Sequence, residues 1–356
     1  MSTFFGIAIS GKILMAISMK GAIRQVCEGR SLTLVDAKSV FDQIMRGEAT
    51  DAQIGAFVTA LKMKGEAIPE IQGAVQSMRE VVAPVKYGGD ADVLDIVGTG
   101  GDGKSSFNVS TASAIVAAGA GCVVAKHGNR GVSSSSGSAD VLRELGVNIE
   151  TSPKRNSEIL SKIGLAFMFA PLHHPAMRYA AGPRGEIGIR TIFNIVGPLT
   201  NPAQAGTYLL GAYSADLARD LAYVLAGVGT KTAMVVHGMG HDEATLTGYT
   251  TLFEVRHLRP IEIRRLEPAQ LNLGRWHESE LTVSGAAESA EVIMGILEGR
   301  EKGARFETVL FNAGLGIFAN GQTTSIRDGI ESARLSIEDG SAKMALDLLV
   351  METNRK

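Results

Sequence analysis

Chemistry-bearing side chains concentrate between Val93 and Ser138, in VLDIVGTGGDGKSSFNVSTASAIVAAGAGCVVAKHGNRGVSSSSGS. Gly98-Thr99-Gly100-Gly101-Asp102-Gly103 sets four glycines in six residues. Such a loop can take positive φ, approach a ligand closely and aim consecutive N–H groups at one anion. Asn108-Val109-Ser110-Thr111 then puts amide and hydroxyl groups where a helix would start, an end that favours such caps and also favours phosphate. Lys126-His127-Gly128-Asn129-Arg130 follows, and after it a serine run from Ser133 to Ser136, with Ser138. The chemistry these residues suit is the cradling of phosphate. The spacing is not the dinucleotide fingerprint, and no Gly-Lys-Ser/Thr closes the loop, so neither common nucleotide motif fits.

Two further clusters lie downstream. His237-Gly238-Met239-Gly240-His241-Asp242-Glu243 follows an apolar run, Ala233 to Val236. Adjacent carboxylates beside a phosphate site call for a cation between them, and hard oxygen donors with retained waters suit Mg²⁺. Pro171-Leu172-His173-His174-Pro175-Ala176-Met177-Arg178 leads to Arg184 and then to Arg190-Thr191-Ile192-Phe193-Asn194-Ile195-Val196-Gly197-Pro198-Leu199-Thr200-Asn201-Pro202. No Cys or Glu stands at metal spacing beside the paired histidines, which argues against zinc.

The elements that must position these groups alternate strand and helix. Val93–Val97 and Cys122–Ala125 read as buried strands around a small-residue helix, Ala112 to Ala120. That unit brings the glycine loop and the Lys/His/Asn/Arg cluster to one sheet edge, where open α/β sheets bind ligands. Helices over Ala139–Leu145 and Lys154–Ile163, with strands at 147–149 and 165–170, continue the alternation. Further strands are expected at 209–213 and 233–236, with a helix over 216–225. Phe253–Val255 and Ile261–Ile263 read as a hairpin-like excursion, the stretch around Trp276-His277-Glu278 has no clear assignment, and Val309–Phe311 is strand-like. Helices are expected over 286–297, 326–337 and 341–349. Before all this, residues 19 to about 85 show only helical spacing: Val40, Phe41, Ile44 and Met45 share one face, and Ile54, Phe57, Val58 and Leu61 another, with Thr50 as a cap between them. Tyr87-Gly88-Gly89-Asp90 reads as a hinge.

The chain has 356 residues, 45% hydrophobic and 20% charged, enough for one large or two modest domains. A formal net charge of −2 argues against a nucleic-acid binder driven by bulk electrostatics. Cys27 and Cys122 are the two cysteines, far apart in sequence, so a reducing cytoplasm is the expected setting. No apolar run approaches a membrane span. Gly11-Lys12 interrupts the apolar start, so residues 1–18 read as an N-terminal extension rather than a signal peptide.

GTGGDG, NVST and KHGNR, in this order and spacing, resemble the anthranilate phosphoribosyltransferases, within the nucleoside phosphorylase/class II phosphoribosyltransferase group. The resemblance runs over about 19–350. It implies an α/β fold with a small all-α domain and a central, mostly parallel sheet. The implied domains are 19–87, with a returning segment at about 171–197, and an α/β domain over 88–170 and 198–356. It implies tryptophan-pathway transfer of the phosphoribosyl group from 5-phosphoribosyl 1-diphosphate to anthranilate. Diphosphate-substrate contacts would come from Gly98, Gly101, Asp102, Ser106, Asn108, Val109, Ser110, Thr111, Lys126, His127, Gly128, Asn129, Arg130, Ser133, Ser134 and Ser138. Anthranilate would meet Gly98, Asn129 and Arg184, whose planar guanidinium can grip a carboxylate bidentately. Ser110 would hold one Mg²⁺, and Asp242 with Glu243 a second. No acid/base residue is assigned. The resemblance also implies a homodimer through the α-domain, with no nucleic-acid or membrane partner. Where the family pattern has an apolar residue before the acidic pair, this chain has His241, expected to point outward. Rival readings are a pyrimidine nucleoside phosphorylase, a phosphoribosyltransferase with another aromatic acceptor, and a non-catalytic nucleic-acid-binding relative.

Overall fold

The structure, a computed structural model, describes residues 17–131 and 136–355. The expected extension 1–18 therefore lies almost wholly outside the described residues, as do Ser133 and Ser134. Four helices come first: α1 (Met19–Cys27), α2 (Leu34–Met45), α3 (Asp51–Lys64) and α4 (Ile68–Val81). Each begins where a cap is available. Ser18 and Thr33 accept backbone N–H groups, and Thr50 forms a reciprocal capping box with Gln53. The shared faces read from spacing turn inward: Phe41 and Phe57 meet edge-on at 5.7 Å in the centre of this bundle.

The rest of the chain runs β1 (Val93–Gly98), α5 (Val109–Gly119), β2 (Val123–Gly128), α6 (Ser138–Glu144), α7 (Pro153–Ile163), β3 (Leu165–Phe169), α8 (Ala170–His173), α9 (Arg178–Ile187), α10 (Ile192–Val196), β4 (Thr207–Gly211), α11 (Ala215–Gly227), β5 (Thr232–His237), β6 (Thr250–Arg256), β7 (Glu262–Leu266), α12 (Ala286–Leu297), α13 (Ala304–Ala319), α14 (Ile326–Glu338) and α15 (Ser341–Asn354). One seven-stranded sheet has the order β3-β2-β1-β4-β5-β6-β7. Its first five strands are parallel, and β6 and β7 are antiparallel. The order reverses between β1 and β4, so the crevice for a ligand opens beyond the carboxyl ends of those two strands.

Several expectations change. Val147–Ile149 is not a strand: Asn148 donates its backbone N–H to the Thr353 hydroxyl and its side-chain amide to the Thr353 carbonyl, so α15 holds this segment where a sheet neighbour would have been needed. Val309–Phe311 lies inside α13, a helix buried nearly all round, and a fully apolar run carries no period to separate helix from strand. The hairpin of β6 and β7 is the antiparallel border of the main sheet rather than an excursion. Strand β2 runs on through Lys126, His127 and Gly128, which places their side chains by pleat instead of by loop. Helix α5 starts at Val109, three residues before the expected Ala112. Beside the expected hinge Tyr87–Asp90, Lys86 and Gly88 donate N–H groups to Ser157 and Ser161 of α7.

Helices α9 and α10 pack back on α2, α3 and α4. Phe193 of α10 meets Phe41 edge-on at 5.8 Å, joining this returning segment to the bundle core. Among the described residues no helix is long and apolar enough to cross a membrane.

Candidate active site

The site is built over the ends of β1 and β4. Thr99 donates its N–H to the Gly211 carbonyl at 2.9 Å, and Gly100 donates its own to Asp242 Oδ2 at 2.5 Å. The acidic loop thus folds directly onto the glycine loop. Only glycines permit this approach: a Cβ on Gly98 would lie 2.2 Å from Asp242 Oδ2, and one on Gly211 would lie 1.7 Å from the Asp242 carbonyl oxygen. From the other side, Arg190 Nη2 donates to the carbonyls of Thr99 and Gly100, each at 3.0 Å. Arg190 also occupies the space a side chain at Gly101 would need.

The electrostatics of the acidic pair are those of a site short of positive charge. Burial, then the charge of Asp102, pushes the Asp242 carboxyl up to about 7. Burial, then Asp242 and Asp102, holds Glu243 well above the usual carboxylate range. The Ser106 hydroxyl, buried beside Glu243, opposes this rise only in part. Buried carboxylates without a counter-charge are costly, and hard oxygen donors of this kind fit a divalent cation such as Mg²⁺. Among the described residues no three His, Cys, Asp or Glu side chains stand ready as a complete metal cage. Magnesium sites are commonly completed by substrate phosphate and water, so the donor set fits an ion that arrives with a phosphorylated ligand.

His241 corrects an expectation. It does not point outward: it is 0% exposed, with Nδ1 3.9 Å from Glu243 Oε1 and Nε2 3.8 Å from Glu278 Oε2. The tight backbone pairing of His241 with Gly238 turns the side chain beneath the loop.

The second cluster sits at the ends of β2 and the start of α5. Lys126 is buried, donating to the Ile96 carbonyl at 2.7 Å and to Ser110 Oγ at 3.2 Å. Burial lowers its ammonium to about 8, partly opposed by the charge of Asp95. Asp95 is itself raised to about 6, chiefly by burial. The Asn108 side chain is engaged by Ser136 and Ser289 hydroxyls, both at 2.9 Å, so it braces two loops at the helix start. Asp140 Oδ2 accepts N–H groups from Gly131 and Gly137, 2.9 Å each, clasping the two ends of the serine loop.

The opposite wall comes from the returning segment. The adjacent histidines have different surroundings. His173 is buried between the Ala83 carbonyl at 3.1 Å and Asn156 at 3.2 Å, pinning the bundle to the sheet. His174 faces His127, ring nitrogen to ring nitrogen at 3.2 Å. Burial, then the neighbouring His173, lowers His174 to about 4, and His127 lies well below its usual value for the same first reason. Arg184 of α9 rests its guanidinium 5.4 Å over the Phe193 ring.

All of these walls enclose one cavity of about 660 Å³. Gly98, Gly101, Asp102, Ser106, Asn108, Val109, Ser110, Lys126, His127, Gly128, Asn129, Arg130, Ser138, Arg184, Asp242 and Glu243 all line it. Thr111, buried in the first turn of α5, does not.

Comparison with known proteins identifies the family. Residues 20–82 match the family described as the glycosyl transferase helical bundle domain, and residues 90–343 its a/b domain. The anthranilate phosphoribosyltransferase of Pelotomaculum thermopropionicum is 48% identical over 335 residues, covering 93% of this chain and 96% of that protein. The crystal structure of the Thermus thermophilus enzyme of the same name superposes with a TM-score of 0.88 at 39% identity, covering 94% of this chain and 99% of that one. The Saccharomyces cerevisiae enzyme in complex with PRPP and Mg superposes with a TM-score of 0.86 at 26% identity, covering 94% and 97%. The chain belongs to the anthranilate phosphoribosyltransferase family.

Against that family, the structure adds cavity residues that motif reading passed over. Arg190 stood inside a recognised string without a role, and its hold on two loop carbonyls is visible only in three dimensions. The stretch around Trp276-His277-Glu278 had no clear assignment in sequence. It proves to brace the glycine loop, with Phe107 donating to the Leu281 carbonyl, Val283 to the Ser105 carbonyl, and Lys104 to Glu278 at 2.8 Å. No local signal could have paired residues so far apart along the chain.

Proposed function

We propose that this chain transfers the 5-phosphoribosyl group of 5-phosphoribosyl 1-diphosphate to the amine of anthranilate, releasing pyrophosphate. One observation supports this best: a single cavity joins the glycine loop and acidic pair on one wall to Arg184 and Phe193 on the other. The anthranilate amine is a weak nucleophile, so departure of pyrophosphate leads and oxocarbenium character builds on the ribose. The protein's task is then alignment and charge stabilisation. The glycine loop and the start of α5 hold the diphosphate, with Lys126 and Ser110 beside it. Arg184 grips the acceptor's carboxylate bidentately while its aromatic ring lies among Phe193, Met177 and Pro198. His127 and His174, kept neutral by burial, face each other in this wall and add no competing charge for that carboxylate. Asp242 with Glu243, and Ser110 separately, would hold two Mg²⁺ ions. When bound, these ions supply charge neutralisation for the leaving diphosphate.

The proposed division is a bundle of 19–87 with 171–197, and an α/β body of 88–170 with 198–356. The bundle also leaves Val35 and Met63 exposed at 71% and 85%, which supports pairing of two copies through it. Loss of anthranilate fluorescence on adding 5-phosphoribosyl 1-diphosphate and Mg²⁺ tests the reaction. A magnesium-dependent decay is expected, abolished or badly slowed in Asp242→Asn/Glu243→Gln. Folded protein that binds the diphosphate substrate yet shows no decay would refute the acceptor assignment.

A further inference from the structure

Ser289 lies near the start of α12, a helix that no motif marked, and it is fully buried. Its hydroxyl nonetheless meets the start of α5, 181 positions away in sequence. It accepts the Asn108 backbone N–H at 2.9 Å and donates to Asn108 Oδ1 at 2.9 Å. The first bond sets the direction of the second, because an oxygen that accepts the N–H keeps its own proton to give. Ser136 Oγ donates to the same Oδ1, also at 2.9 Å. Helix α12, the start of α5 and the end of the serine loop thus converge on one carboxamide oxygen. On the other side of the amide, Nδ2 lies 3.5 Å from the Ser136 carbonyl. Turning the amide over would set an oxygen against that carbonyl, so the surrounding groups settle which edge carries the NH₂. With both lone pairs of Oδ1 taken, the carboxamide has only donors left to offer. Asn108 lines the cavity, whereas Ser289 stands behind it.

We propose that Ser289 is a positioning residue for the diphosphate substrate: it holds the Asn108 carboxamide with its NH₂ edge available to phosphate oxygens. The inference rests on the function proposed above in seating phosphate at the start of α5. Ionised phosphate oxygens only accept hydrogen bonds, so an amide free to turn over would meet them with its own oxygen part of the time. Fixing the amide beforehand removes that loss from the cost of binding. A carboxylate in place of Asn108 would satisfy the same two serines and repel the substrate, so the amide is the group this arrangement requires. None of these residues belongs to the wall of Arg184 and Phe193, and the effect therefore falls on the diphosphate substrate alone.

The test is calorimetric titration of the full chain with 5-phosphoribosyl 1-diphosphate and Mg²⁺, beside steady-state kinetics with anthranilate. Ser289→Ala should raise Kd for the diphosphate substrate about fivefold, the scale of one neutral hydrogen bond, and leave KM for anthranilate within about twofold. Asn108→Ala should raise that Kd about tenfold, and adding Ser289→Ala to it should raise it less than about twofold further, because the amide to be oriented is gone. Asn108→Asp, which accepts from both serines but offers no donor, should bind more weakly than Asn108→Ala. Should Ser289→Ala not fold, Ser289→Cys keeps the volume with a weak donor and is read the same way. A merely structural Ser289 would lower the thermal midpoint, and its effect on Kd would add in full to that of Asn108→Ala. Such additivity, an unchanged Kd in Ser289→Ala, an equal rise in KM for anthranilate, or Asn108→Asp binding as tightly as wild type would each overturn the inference. Wild-type turnover with Ser289→Ala unaltered sinks this inference alone. Wild type that binds the diphosphate substrate, with the expected pattern among the variants, yet leaves anthranilate unconsumed sinks the proposed reaction alone. Wild type that does not bind it at all sinks both.

Discussion

Gly211→Ala probes the architecture without touching a cavity wall, because Gly211 ends β4 behind the acidic loop. The added Cβ would sit 1.7 Å from the Asp242 carbonyl oxygen and 2.3 Å from its carbon. Restoring even a 3.0 Å contact requires the loop to move by about 1.3 Å, and the atoms in the way are backbone, which cannot rotate aside. Overpacking of this kind costs about 1–3 kcal/mol of stability. A displacement of about 1 Å at a reacting site costs about 10²-fold in rate, so kcat/KM should fall by about that factor. The Mg²⁺ concentration needed for half-maximal rate should rise with it, because Asp242 and Glu243 travel with the loop. The assay is anthranilate fluorescence decay across a Mg²⁺ titration, with thermal unfolding to confirm the fold. Gly185→Ala is the matched control. Its Cβ meets nothing within 4 Å in the exposed part of α9, and it should gain about 0.5–1 kcal/mol of stability with little change in rate. A folded Gly211→Ala protein within about threefold of wild type in both kcat/KM and Mg²⁺ requirement would refute the reasoning, since a misplacement that large is tied to a far larger loss.

Other outcomes follow from the same geometry. Arg184→Met removes a charged grip worth about 1.5–3 kcal/mol, so KM for anthranilate should rise at least about tenfold while KM for 5-phosphoribosyl 1-diphosphate holds; equal rises in both would contradict its assignment to the acceptor. Arg190→Met frees the Thr99 and Gly100 carbonyls and should show the reverse split, with KM for the diphosphate substrate raised about tenfold in steady-state kinetics. A larger effect on anthranilate would show that Arg190 serves the other wall. His174, lowered to about 4 in the fold against 6.5 unfolded, binds fewer protons when folded, so its contribution to stability is lost as pH falls through that window. Between pH 8 and pH 5 this amounts to about 2 kcal/mol. Asp95, raised to about 6, and Asp242, raised to about 7, act with the opposite sign, so the measurement is the difference between wild type and His174→Gln in urea unfolding at the two pH values. Parallel profiles for the two proteins would contradict a buried neutral His174.

Local sequence determined what each segment is made to do. Glycine spacing announced a loop able to reach a phosphate, Thr50 announced a helix start, and the alternation after Val93 announced a parallel sheet with its ligand edge. These properties depend on residues within a turn or two of one another, and the Thr50 helix start and the parallel strands are found as expected. Tertiary structure decided everything that depends on a distant neighbour. Val147–Ile149 had the composition of a strand but met α15 instead of a sheet edge, and Val309–Phe311 is apolar on every side because α13 is enclosed on every side. Gly211 carries no motif, yet it must be glycine because Asp242, thirty-one positions later, lies against it. His241 looked like a surface residue beside two acids until the turn at Gly238 folded it beneath the loop between Glu243 and Glu278. The physical reason is the same throughout. Propensity and spacing act along the chain, whereas burial, unmet hydrogen bonds and the sharing of charge are set by whichever groups the fold brings within a few ångströms.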